Sequence, residues 1–137
     1  MQTIITYFAL ILTGLFLQAQ NTVEVTMTNF STNDGTVRVG LYNSEGQWLE
    51  REYKALDSKI TNRTAKVTFT DIPDGVYAVS CFHDEDDNGK FKMFMGMLPI
   101  EDYACSNDAS GMFGPPKWSD AKFELKNGET KQVPLTL

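Results

Sequence analysis

Apolar and polar side chains alternate with a period of two along most of this chain. Val23, Val25 and Met27 alternate with Glu24, Thr26 and Thr28, and Val37, Val39 and Leu41 with Arg38, Gly40 and Tyr42. The pattern returns at Ala65, Val67 and Phe69, at Ala121, Phe123 and Leu125, and at Val133, Leu135 and Leu137. Successive side chains of an extended strand point to opposite faces, so this period demands sheets with one buried face. The run Val76-Tyr77-Ala78-Val79-Ser80-Cys81-Phe82 is apolar or small on both faces, which predicts a central strand. Turn chemistry separates these runs: Asn33-Asp34-Gly35 precedes Val37, and Ile72-Pro73-Asp74-Gly75 precedes the central strand. Lys126-Asn127-Gly128-Glu129 is expected to join the last two strands as a tight hairpin, because Asn-Gly accepts positive φ. Pro134 cannot donate a ladder hydrogen bond, so the final strand belongs at a sheet edge. Trp48, Leu49, Tyr53 and Leu56 read as a short helix or an irregular crossover. The expectation is all-β: a single small β-sandwich of about seven antiparallel strands.

The first charged side chain is Glu24, and the apolar stretch before it ends in Gln18-Ala19-Gln20. That stretch is too short for a comfortable membrane span and is followed by a small residue suited to cleavage. Residues 1–20 are therefore expected to be a signal peptide, although they hold no Lys or Arg, and residues 21–137 the folded domain. Export to the periplasm, the cell surface or the medium follows, with no stable membrane insertion after cleavage. The formal charge of −6 falls wholly on residues 21–137 and no basic cluster occurs, which argues against nucleic acid as a partner. Cys81 and Cys105 are the two cysteines. In an oxidising compartment they are expected to be bridged, closing a loop of about 25 residues worth roughly 3 kcal/mol, with two buried free thiols as the alternative.

Chemistry concentrates directly behind the central strand, where Asp84-Glu85-Asp86-Asp87-Asn88-Gly89-Lys90 places oxygen donors at alternate positions before a glycine. Asp84, Asp86 and Asn88 match positions one, three and five of a calcium loop, Gly89 its sharp turn, and the Lys90 carbonyl its backbone ligand. Calcium takes roughly six to eight oxygens, and Met95 stands where the closing bidentate acid belongs. Glu101, Asp102 or Asp108 could substitute if the segment folds back, with Ser106 and Asn107 adding neutral oxygens. Such an incomplete set predicts weak, structural binding, roughly 10⁻⁴ to 10⁻³ M. A solvated acidic turn with no ion is the competing reading.

His83, the sole histidine, could serve as a general base, yet Ser80 would point away from it and no nucleophile elbow surrounds it. A strand-end histidine bonded to a loop carboxylate or carbonyl is the simpler expectation. Met93, Met95 and Met97 alternate, so a strand would present three thioethers to Cu(I), with His83 or Met112 as further ligands, or simply fill a core. Trp48, Tyr103, Phe113 and Trp118 could stack on a sugar or dock a peptide, or cap the core. A hydrolase would need two convergent carboxylates, with Asp84 and Glu101 as the obvious pair. Residues 92–120, rich in Gly and Pro, form a long irregular segment of the kind that is functional or pinned.

Gly75-Val76-Tyr77-Ala78-Val79, Phe82-His83-Asp84-Glu85 and Asn88-Gly89-Lys90, followed by Pro99, Glu101, Tyr103 and Ser106-Asn107, resemble the DUF2141 family of exported bacterial proteins of unknown function. The resemblance covers residues 22–137, is carried mainly by residues 75–90, and implies a transthyretin-like or prealbumin-like sandwich with no assigned activity. Two departures stand out. Lys92 occupies a place where the family tends to carry an acid, and the family usually lacks the cysteines. The combined expectation is an exported, non-enzymatic accessory domain with an unidentified protein or glycan partner and a calcium site in the acidic turn.

Overall fold

The computed structural model describes residues 20–87, 93–94, 98–99, 102–111 and 114–137. Apart from Gln20, the expected leader lies outside them, and no helix among the described residues is long and apolar enough to cross a membrane. The strands are β1 (Asn21–Thr28), β2 (Thr36–Tyr42), β3 (Lys54–Lys59), β4 (Ala65–Ile72), β5 (Gly75–Asp84), β6 (Met93–Phe94), β7 (Leu98–Pro99), β8 (Tyr103–Cys105), β9 (Phe123–Leu125) and β10 (Thr130–Thr136). One helical turn, α1 (Trp118–Ala121), precedes β9.

Two sheets pack face to face. One runs β10-β1-β4; the other runs β3-β2-β5-β8, with β9 pairing the opening residues of β5. Val23, Val25, Met27, Val67, Phe69, Val133 and Leu135 meet Val37, Val39, Leu41, Tyr77, Val79 and Cys81 between them. A one-residue slip of β1 would turn Val23, Val25 and Met27 into water at about 1.5–3 kcal/mol each, so the alternation in the sequence also sets the register. β5 is covered on both faces, as its composition requires. Its other face meets a smaller cluster of Tyr42, Ala78, Trp118 and Ala121, with Trp48 packed against it. There the Tyr42 and Trp118 rings lie edge-on to Trp48 at 4.9 and 5.9 Å.

The structure departs from the sequence expectations in four places. The residues 126–129 turn has the expected backbone, with Asn127 and Gly128 at φ 61° and 68°, but it joins no hairpin. It carries the chain from β9 in one sheet to β10 in the other, where β10 pairs parallel to β1 and so breaks the all-antiparallel expectation. Leu56 lies in β3, an edge strand whose Lys54, Asp57 and Lys59 obscure any apolar period and blunt the edge. Ala121 belongs to α1 rather than to a strand. Finally, Cys81 and Cys105 are both free thiols. The antiparallel register sets Cys81 opposite Ala104 and Ser80 opposite Cys105. Neighbouring positions along a strand face opposite ways, so the Cys81 sulfur enters the core while the Cys105 sulfur points to Ser80 Oγ, 3.7 Å away.

Candidate functional site

The end of β5 carries the densest polar chemistry. Gly35 begins the approach to it, at φ +69°, where an added Cβ would lie 2.0 Å from the Asp84 carbonyl oxygen. Only glycine lets the turn before β2 lie against the strand end so closely. Strand alternation sends Cys81 and His83 to the core face and Asp84 to the other, and both His83 and Asp84 are buried. The His83 amide donates to the Asp102 carbonyl at 2.8 Å, which brings the start of β8 alongside the strand end.

The His83 side chain is 0% exposed. Its ring meets Phe30 edge-on at 5.2 Å, and Nε2 lies 2.6 Å from the Asp34 carbonyl oxygen. A carbonyl can only accept, so Nε2 carries the proton and donates, which leaves the lone pair of a neutral ring on Nδ1. That atom is buried and has no hydrogen-bond partner. It faces Glu85, whose Oε1 is 3.7 Å away and accepts from Ser31 Oγ at 3.1 Å. One ligand atom each from His83, Glu85 and Asp102 lies within 4.8 Å of the others. The sequence expectation of a strand-end histidine bonded to a loop carboxylate or carbonyl is met by the Asp34 carbonyl. Its partnership with Glu85 was missed, although the His-x-Glu spacing at a strand end was there to read.

Only part of the expected calcium set falls among the described residues. Asp84 is buried, Asp86 is exposed, and the two join a turn closed by the Asp87 amide donating to the Asp84 carbonyl at 3.3 Å. Asn88, Lys90 and Glu101 lie outside the described residues, as do Gly89, Lys92, Met95, Met97, Met112 and Phe113. Asp108 lies in a 3-10 turn with Ser106 and Asn107, anchored where Ser106 Oγ accepts from the Val79 amide at 3.0 Å. Five residues of extended strand separate Val79 from Asp84, roughly 17 Å at about 3.3 Å per residue, so Asp108, Ser106 and Asn107 cannot join Asp84 around one ion. Ser106 and Asn107 have structural bonds instead. The Ser106 hydroxyl donates to the Ala121 carbonyl at 2.6 Å, and Asn107 Nδ2 to the Lys122 carbonyl at 2.8 Å, tying the end of β8 to α1.

Other chemistry is muted. Burial, with the Cys105 thiol nearby as a lesser cause, pushes the Cys81 thiol far up. Burial also pushes Cys105 up to about 11 against a small opposing effect of Ser80. Both thiols are therefore poor nucleophiles at neutral pH. Trp118 is buried and Trp48 Nε1 donates to the Pro116 carbonyl at 2.8 Å, so these indoles cap the smaller cluster. Of the methionine set, the described backbone includes only Met93, in β6.

The family model described as "Uncharacterized protein conserved in bacteria (DUF2141)" matches residues 25–133. This chain belongs to the DUF2141 family. No curated protein and no solved structure matches it. The span matched by the DUF2141 model runs from within β1 to within β10, and His83, Glu85 and Asp102 fall inside it.

Proposed function

We propose that this DUF2141 chain is an exported, non-enzymatic accessory β-sandwich that binds a divalent cation where β5 leaves the sheet. The observation that carries this reading is His83 Nδ1, a buried ring nitrogen without a hydrogen bond that faces Glu85, on a ring grouped with the Glu85 and Asp102 carboxylates. An unsatisfied buried polar atom costs about 1–3 kcal/mol, and an ion between His83, Glu85 and Asp102 would remove that cost. The oxygen-rich residues 84–90, from which calcium binding is expected, continue from the same point, so calcium is one candidate ion. The apolar leader supports export. A binding role is supported by the surroundings of three potential nucleophiles: Ser80 lies on the face of β5 opposite His83, and both thiols are buried.

The test is a melting series of the full chain with Ca²⁺, Mg²⁺ and Zn²⁺, each reversed by chelator. An ion at a hundred times its dissociation constant adds about 2.7 kcal/mol, which raises the midpoint by several degrees. If none of these ions shifts the melt, the chain does not bind a cation and the reading fails.

A further inference from the structure

We propose that the site selects a borderline transition-metal ion of the zinc class, held by His83 Nδ1, Glu85 and Asp102, in preference to calcium. This inference rests on the cation-binding reading and names its ligand class. Calcium is a hard ion that takes oxygen, whereas imidazole nitrogen suits zinc, nickel, copper and iron. The one buried and unsatisfied donor atom at this site is a nitrogen.

The ring is already arranged as a ligand. Metal-binding histidines ordinarily donate the remote ring N–H to a carbonyl or carboxylate, which sets the tautomer and the ring plane. Here Nε2 donates to the Asp34 carbonyl at 2.6 Å, Phe30 packs edge-on against the ring, and the His83 amide is bonded to the Asp102 carbonyl. The lone pair on Nδ1 is thereby held towards Glu85 without further ordering.

The spacing fits an ion of this size. Bonds of about 2.0–2.2 Å at tetrahedral angles put ligand atoms roughly 3.3–3.6 Å apart. Nδ1 and Glu85 Oε1 stand at 3.7 Å, and one ligand atom each from His83, Glu85 and Asp102 lies within 4.8 Å of the other two. Glu85 and Asp102 are exposed, so closing the remaining gap needs only side-chain rotation. Three protein ligands leave a fourth position for water or for a donor from a partner. Their two negative charges would balance the ion.

The test is a Zn²⁺ titration of the full chain, read by isothermal calorimetry and by the ring resonances of its single histidine, alongside Glu85→Gln and Asp102→Asn variants. Both substitutions are at exposed positions, so the metal-free variants should melt within a few degrees of the parent. Expected results are one Zn²⁺ per chain, a shift of the Nδ1 resonance, no matching response to equimolar Ca²⁺, and at least a tenfold loss of Zn²⁺ affinity in each variant. Stabilisation by calcium without zinc would overturn this inference and leave the cation reading standing. Zinc affinity unchanged in both variants, or an unmoved histidine signal at saturation, would also overturn it. A failure of every ion would remove both.

Discussion

Replacing Ser106 by alanine removes a single buried oxygen that joins three parts of the sandwich. The hydroxyl accepts from the Val79 amide in β5 at 3.0 Å and donates to the Ala121 carbonyl at the end of α1 at 2.6 Å, with the Val79 carbonyl 3.3 Å away as a weaker acceptor. Ser106 is 1% exposed, so water cannot easily take the oxygen's place. The change leaves one donor and one acceptor without their partner. At about 1–3 kcal/mol for an unsatisfied buried group, with some relaxation at the carbonyl, the loss should come to about 2–4 kcal/mol. That is a large part of the roughly 5–15 kcal/mol by which a domain is stable. The void is the size of one atom and contributes little. In urea, at a mid-range slope of about 2 kcal/mol per molar, the midpoint should fall by roughly 1–2 M at unchanged slope. Ser110→Ala, at an exposed position, should change stability by no more than about 0.5 kcal/mol. Hydrogen exchange at the Val79 amide should accelerate beyond what the global loss explains. A Ser106→Ala change below about 0.5 kcal/mol, or unaltered Val79 exchange, would refute the argument.

Gly35→Ala should cost at least about 2 kcal/mol, since left-handed backbone alone costs roughly 1–2 and the new Cβ would meet the Asp84 carbonyl oxygen. Gly35→Asn, which tolerates that φ, should not restore stability, because the contact with Asp84 remains; full rescue in a thermal melt would show that strain alone mattered. Both thiols should resist a disulfide-exchange reagent at pH 8 until the chain is unfolded, and fast native labelling of either would contradict their burial. The raised thiol pKa values carry a signed consequence. Between the usual value of 9.0 and about 11 the unfolded chain releases the Cys105 proton while the folded chain keeps it, so stability falls as pH rises. At about 1.4 kcal/mol per pH unit, Cys105 alone should cost about 3 kcal/mol across that window, and a Cys105→Ala variant should show a flatter alkaline limb in urea titrations.

The alternation of β1, β2, β4 and β10 and the two-faced apolar run of β5 were legible because burial on one or both faces writes itself into consecutive residues. β3 was not, since an edge strand has little core to face. The turn at residues 126–129 shows the limit of local chemistry: Asn127-Gly128 specifies positive φ, and that conformation serves a crossover between sheets as well as a hairpin. The same limit applies at the site. His83 was readable as a strand-end histidine, and Asp102 as one of several acids within reach. Glu85 stands two residues from His83 and left a local mark, whereas Asp102 comes to the strand end only through the pairing of β5 with β8, which leaves none.

By itself the sequence determined that residues beyond the apolar leader form β-structure, which strand is central, and where the acidic chemistry begins. These are matters of near neighbours and solvent. Only the tertiary structure decided that Cys81 and Cys105 point to opposite faces, that Ser106 and Asn107 bond to the carbonyls at the end of α1, and that His83, Glu85 and Asp102 come together. The reason is register: shifting one strand by a single residue exchanges its two faces, and the residues that hold β8 in place against β5 lie far from it in the chain.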